Sequence, residues 1–404
     1  MKIAVIGGGA AGFFAAICAK ENYPQSEVVI FEKSKDLLAK VKISGGGRCN
    51  LTNACVDSKE LLEGYPRGVK LLKRAFHRFD NQATMRWFET RGVPLLVQDD
   101  NCVFPRSQNA QDIIDCFLSQ AHNLRIQIER ETGVKALIPL GEGLQLSFYG
   151  EKVPARSFAK VIVATGGSPR REGLAWLEKL GHQISAPVPS LFTFKMPDEP
   201  VAELMGIVVE NTLVSIQATK FKAEGPLLIT HWGMSGPAIL KLSAYAARHL
   251  HDHNYQFKVL VNWTGQKNQD KVLTQLQRIA AEQPKKLLAN GRPFLLPERL
   301  WDYLLKKSGL PTSKKWAELG KTGLNRLANQ LSNDSYAVRG RTQFREEFVT
   351  CGGVSLESVD FNSLQSKVCD NLYFAGEVLD IDGITGGYNF QAAWTTAFIA
   401  AKLQ

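Results

Sequence analysis

Glycines 7, 9 and 12 and a glutamate at position 32 have the types and spacing that hold a dinucleotide. The stretch "VIGGGAAGFFAA" contains Gly7-x-Gly9-x-x-Gly12 between an apolar run and a helix-forming one, and each glycine meets a steric demand of that chemistry. Gly7 permits a tight turn, Gly9 lets a pyrophosphate approach the backbone, and Gly12 lets a helix pack close to a strand. Ala10 and Ala11 open the helix, whose free N–H groups and positive dipole end favour phosphate. Glu32 is placed to accept hydrogen bonds from ribose hydroxyls, and its charge repels a 2′-phosphate. The expected ligand is FAD or NAD(H), with NADP disfavoured.

Three further segments favour FAD. "AKVIVATGG" is an apolar strand ending at Ala164, Thr165 and Gly166, and it resembles a flavin-family motif in which the chain returns beneath the dinucleotide. "NLYFAGEV" carries Gly376 and Glu377 after an apolar strand, and it resembles a flavin-family motif whose acid serves the ribityl chain and phosphate region. "DGITGGYNFQAAW" sets Gly386 and Gly387 at a helix start, where N–H groups would meet the flavin's pyrimidine edge and stabilise charge on reduction. Tyr388 and Asn389 open that helix; Tyr388 is a candidate proton donor or ring cover, and packing explains it equally well. Asp380 and Asp382, in the loop before, suit a ribityl contact or a turn.

The stretch "KISGGGRCNLT" follows a lysine-rich loop, and its run of three glycines followed by arginine, cysteine and asparagine offers little for a core. Lys33, Lys42 and Ser44 stand where the chain passes the cofactor, and Gly45, Gly46 and Gly47 would let main chain lie against it. Arg48 would counter phosphate or reduced-flavin charge, and Asn50 would bond the flavin's polar edge. Cys49 reads as a small neighbour of the flavin rather than a nucleophile. No second G-x-G-x-x-G lies between a strand and a helix. NAD(P)H must therefore enter an open site before the ring, or another substrate supplies the electrons.

These residues need a scaffold. "KIAVIG", "AAGFFAAICAK" and "EVVIFEKS" read as a βαβ unit. Helices follow from about 57 to 93, then short strands from about 124 to 163. Residues 186–264 alternate as strands, 265–340 are helical and basic, and the C-terminal part returns to strand, loop and a final helix. The expected fold is α/β: a Rossmann-like FAD-binding domain of glutathione-reductase type from residues 1–185 and 341–404, with a β-rich insert and an α-helical subdomain.

The chain has 404 residues and a formal charge of +10. Between Gly265 and Gln330 thirteen Lys/Arg face five Asp/Glu, so the basicity is local. No nucleic-acid motif accompanies it, yet a flavoprotein acting on RNA through this block stays open beside a small-molecule oxidoreductase and a flavin protein without turnover. The seven cysteines form no C-x-x-C and no metal-ligand cluster, so no metal is expected. No apolar run is long enough to span a bilayer, and the reading is a cytoplasmic protein. His231 in "THWGMSGPAILKLS" has a side chain suited to protonating a substrate during hydride transfer, though anchoring a loop is the commoner use.

With these residues in view, the chain resembles the YhiN-like bacterial flavoproteins, the BaiN/RdsA family of NAD(P)/FAD-dependent oxidoreductases. "KISGGGRCNLTN", "THWGMSGPAILKLS" and "LYFAGEVLDIDGITGGYNFQAAW" carry the resemblance most specifically. It implies an FAD domain built from both chain ends, a redox reaction, and a backbone contact from Val134 to adenine. A member acting on unsaturated bile-acid intermediates is known. The stretch "SPRREGLAWLEKLGH" departs from the family's longer glycine-rich segment at that point.

Overall fold

The computed structural model describes residues 1–150, 153–342 and 349–404. Its chain divides into two compact units, Met1–Ser190 with Phe344–Gln404, and Leu191–Gln343.

The first unit is organised by a five-stranded parallel sheet. Its strands are β1 (Lys2–Ile6), β2 (Glu27–Phe31), β3 (Gln127–Glu129), β4 (Lys160–Val163) and β5 (Leu372–Phe374), in spatial order β5-β4-β1-β2-β3. The apolar runs of β1, β2 and β4 are buried on both faces, which is what a parallel sheet covered by helices requires. From β1 the chain winds one way to β2 and β3, then crosses to β4 and β5 on the other side. The order therefore reverses between β1 and β4, and ligands of such sheets bind at that switch point, beyond the strands' carboxyl ends.

Two buried helices cover the centre: α1 (Ala10–Asn22) and, at the far end of the chain, α3 (Tyr388–Ala400). Between them in sequence lies α2 (Ala39–Gly47). Phe14 of α1 packs on Trp394 of α3 at a ring separation of 5.5 Å and on Trp87 at 4.6 Å. Both chain ends join one core because the outgoing strand Ile184–Ser190 pairs antiparallel with the returning strand Val349–Val354.

The second unit is a six-stranded antiparallel sheet. Its order is Phe194–Lys195, Gly233–Ser235, Lys222–Thr230, Val208–Ile216, Gln256–Asn262 and Asp334–Arg339. The helices Gln269–Glu282, Glu298–Lys307 and Gly320–Ser332 belong to it. Val214, Ile229 and Val259 of the sheet share one hydrophobic cluster with Leu276, Trp301 and Leu327 of those helices. The strand-rich and the basic helical stretches thus have a common core.

Candidate flavin-binding site

The turn after β1 is a backbone construction. Gly7 has φ +115°, and a Cβ there would lie 2.3 Å from the Ala164 carbonyl oxygen. A Cβ on Gly12 would lie 1.9 Å from the Gly7 oxygen, so only glycine lets α1 come this close to its strand. A Cβ on Gly9 would meet nothing within 4 Å, which leaves open space over the helix start. Gly9 caps α1 without a side chain, and the first turn holds no acidic residue. Backbone N–H groups with a positive dipole end and room above them suit a diphosphate.

Gly8, which the fingerprint leaves as a free position, is tightly held. Its N–H donates to Glu32 Oε2 at 2.7 Å, while Ser34 donates to Oε1 through its backbone (2.8 Å) and its hydroxyl (2.7 Å). Glu32 is thereby aimed from the end of β2 toward the turn. Lys33 beside it is exposed. Thr132 donates to the Glu32 carbonyl at 2.8 Å, and Val134 begins the strand two residues on. That brings Val134 near β2. Ala164 is buried at the end of β4, with Thr165 exposed and Gly166 at φ +72°.

Gly376 follows β5 at φ +76°, and a Cβ there would lie 2.7 Å from Ala11 Cβ. The third motif therefore meets the start of α1, held by a 2.8 Å bond from the Gly376 N–H to Thr396 Oγ1. Both Glu377 oxygens are engaged: Lys40 Nζ donates to Oε2 at 2.7 Å and the Thr350 N–H to Oε1 at 2.8 Å. Lys40 is absent from the sequence expectations, because nothing local marks one lysine of that loop over another; Lys42 is exposed.

In α2 the helix breaks at Ser44, and Gly45, Gly46 and Gly47 take φ of +56°, +69° and +83°. A Cβ on Gly46 would meet nothing within 4 Å. Arg48 is committed to this turn. Its Nε donates to the Gly45 carbonyl at 3.0 Å and its guanidinium lies 4.3 Å from the Phe104 ring centre. Cys49 is fully buried, and burial pushes its thiol up to about 12, against a smaller opposing pull from the Ser44 hydroxyl. A thiol so placed stays protonated near neutral pH. In the amide orientation its surroundings favour, the Asn50 side chain accepts from the Gly387 N–H at 3.3 Å.

That contact leads to the second helix start. Gly387 caps α3 at φ +89° with no side-chain cap and no acid in the first turn. A Cβ on Gly387 would lie 2.3 Å from the Thr52 backbone, and Asn53 donates to the Gly386 carbonyl at 3.2 Å. Asn389 closes the preceding loop on itself, accepting from the Gly383 N–H and donating to the Gly383 carbonyl, both at 2.9 Å. Tyr388 lies against Gly64, Gly383 and Gly386. Asp380 is half-buried, and its N–H donates to the Val354 carbonyl at 3.0 Å. Asp382 is fully buried, paired with Arg67, and accepts from Ser190 Oγ at 2.8 Å.

His231 lies in the second unit, exposed on the turn between strands Lys222–Thr230 and Gly233–Ser235, its ring edge-on to Trp232 at 4.4 Å. All seven cysteines are buried, and none forms a disulfide. Among the described residues no group of three or more His, Cys, Asp or Glu could hold a metal, and no helix is long and apolar enough to cross a membrane.

The switch-point turn and glycine-led helix starts define a Rossmann-type FAD-binding protein, an oxidoreductase by enzyme class. The chain belongs to the family described as the HI0933-like protein Rossmann domain, which matches residues 1–403. It is 26% identical to the 3-dehydro-bile acid Δ4,6-reductase of Clostridium scindens, over 99% of this chain and 98% of that protein. It is 28% identical to the ribosomal RNA dihydrouridine synthase of Escherichia coli, over 98% and 96%. In fold it is similar to the 3-ketosteroid Δ4-(5α)-dehydrogenase of Rhodococcus jostii, at a TM-score of 0.51 and 15% identity, covering 99% of this chain and 95% of that one.

Proposed function

We propose that the protein holds FAD in its single dinucleotide site and reduces a carbon–carbon double bond conjugated to a carbonyl group. One observation carries the reading. Two 13-residue helices of one unit, α1 and α3, each begin at a glycine with no side-chain cap and no first-turn acid. A flavin dinucleotide has two groups that want such an end, the diphosphate and the ring edge that gains charge on reduction.

Gly7, Gly9, Ala10, Ala11 and Gly12 would hold the diphosphate, with Glu32 and Lys33 toward the ribose and Val134 toward adenine. Ala164, Thr165, Gly166, Gly376, Glu377 and Asp380 line the middle of the cofactor. Lys42, Ser44, Gly45, Gly46, Arg48, Cys49 and Asn50, with Gly386, Gly387, Tyr388 and Asn389, would surround the ring. Bound flavin supplies a hydride to an electron-poor carbon. The chain would orient the ring, exclude water and deliver a proton to the adjacent carbon, from Tyr388. NADH or NADPH supplies the electrons from the open side of the ring, in a cytoplasmic, reducing setting.

The substrate class rests on what two relatives' names have in common. A 3-dehydro-bile acid with Δ4,6 unsaturation and a uridine each carry a C=C bond conjugated to a carbonyl. A second reading keeps RNA as the substrate, favoured by the dihydrouridine synthase relatives and by the thirteen Lys/Arg against five Asp/Glu between Gly265 and Gln330.

Anaerobic titration of the purified protein with NADH and NADPH is the test, with flavin absorbance as readout. Bleaching, then reoxidation by an α,β-unsaturated steroid ketone, is the expected result. Reoxidation only by an unmodified ribosomal RNA transcript, with binding that falls steeply with salt, would transfer the reading to RNA. A colourless protein that FAD cannot reconstitute would overturn both.

A further inference from the structure

We infer that the segment Gly64–Gly68, Gly-Tyr-Pro-Arg-Gly in sequence, is a positioning bracket for the loop that leads into α3, and that Arg67 is its decisive positioning residue. The inference rests on the proposal that this loop meets the flavin ring.

The bracket lies flush against the loop at both of its ends. The Ile384 N–H donates to the Gly64 carbonyl at 2.8 Å, and a Cβ on Gly64 would lie 2.2 Å from the Tyr388 ring. At the other end Gly68 takes φ +87°, and a Cβ there would lie 2.7 Å from Ile381. Between them Tyr65 donates its hydroxyl to the Tyr388 carbonyl at 2.8 Å. Two glycines thus admit the loop, and the residues between them hold it.

Arg67 makes the charged part of the contact. Its Nε and one terminal nitrogen donate to the two oxygens of Asp382, and Ser190 Oγ donates to one of those oxygens at 2.8 Å. Asp382 is fully buried and the Arg67 side chain is 16% exposed. Burial pulls the Arg67 guanidinium down, but the bond and charge of Asp382 outweigh it and hold it above its ordinary value. A buried ion pair contributes little net stability compared with an apolar pair of like shape. What it supplies here is direction: a planar fork on a planar carboxylate fixes both position and angle. The residue it fixes, Asp382, adjoins Gly383, where Asn389 closes the loop. The orientation of the first turn of α3, and so of its N–H groups toward the ring, therefore passes through Arg67.

The test compares Arg67→Lys, Arg67→Met and the charge-neutral double variant Arg67→Met/Asp382→Asn with the wild type. Four quantities are read: melting temperature, FAD dissociation constant, visible spectrum of the bound flavin and flavin midpoint potential. A positioning role predicts that all three variants bind FAD more weakly, on the order of 10- to 100-fold, as when supporting residues around a bound group are removed. It also predicts a displaced flavin spectrum and potential. Arg67→Lys fails to rescue, because an ammonium cannot form the fork, and the double variant recovers melting temperature without recovering the flavin properties. Variants that differ from wild type in melting temperature alone would overturn the inference. Should Arg67→Met not fold, the neutral double variant decides by the same readouts. A wild type that takes up no FAD would instead overturn the underlying functional reading.

Discussion

The starts of α1 and α3 face the same task and solve it with different materials. Each helix has 13 residues, is capped by a glycine and carries no acid in its first turn. At α1 the turn is set by main chain against main chain, with Gly7 closing on the Ala164 carbonyl and Gly12 on the Gly7 carbonyl. At α3 side chains do most of it, through Arg67, Tyr65, Asn53 and Asn389. A backbone construction has few degrees of freedom and leaves a fixed glycine spacing in the sequence. A side-chain construction draws partners such as Arg67 and Tyr65 from distant segments, and the sequence does not mark those partners. The first is rigid and generic; the second adjusts one ring environment.

Substitutions that add one methyl group would break this contrast most sharply. Gly12→Ala puts a carbon into the Gly7 carbonyl oxygen, which neither helix nor strand can yield. A loss of about 3 kcal/mol or more in denaturant unfolding, with no flavin retained, is expected. Gly387→Ala also collides, with the Thr52 backbone, and forces alanine to a positive φ. Here about 2 kcal/mol is expected. FAD should still bind, more weakly and with a shifted visible spectrum, since the diphosphate end is intact. Equal and total loss of flavin in both variants would erase the distinction between the two ends.

Glu32→Gln sharpens the α1 side. The amide keeps one acceptor oxygen, so either the Gly8 donor or the Ser34 donors lose theirs, and it removes the charge proposed to meet the ribose. About tenfold weaker FAD binding, equivalent to about 1.4 kcal/mol, is expected by fluorescence titration. The smallest effect concerns Cys49, whose thiol is raised by burial from 9.0 to about 12. Below the ordinary value the thiol is protonated folded and unfolded alike, so it adds no pH dependence there. Between about 9 and about 12 the unfolded chain loses this proton first, so stability falls as pH rises through that window. Cys49→Ser should remove that part of the alkaline slope while leaving bound flavin and turnover near wild type. A loss of turnover with flavin retained would restore a chemical role to Cys49.

Much of the first unit was legible in the sequence, and for a physical reason. The βαβ run, the Ala-Thr-Gly turn after β4 and the Gly-Glu turn after β5 are local patterns, each confined to about a dozen residues. Some partners were not legible. Lys40 on Glu377 and Ser190 on Asp382 join residues 337 and 192 positions apart, and no periodicity marks such pairs. Arg48 is another case. Its type and place suggest a countercharge, and its guanidinium also meets the Phe104 ring and the Gly45 carbonyl, contacts that no pattern in the sequence marks.

By itself the sequence determined that this chain makes a parallel αβ sheet with a glycine turn for a dinucleotide. Strand burial and glycine sterics act between near neighbours, where residue order alone specifies them. It did not determine that the Cys49 thiol, set after three glycines, would be sealed in. Tertiary structure alone decided that the Gly64–Gly68 segment and the loop from Ile381 to Asn389 meet, because their contact depends on how α3 packs on α1. It alone decided which charges are consumed internally, since a carboxylate's partner is set by distance in space. The glycines mark a dinucleotide-binding fold; the buried Arg67–Asp382 pair joins residues 315 positions apart and is visible only in three dimensions.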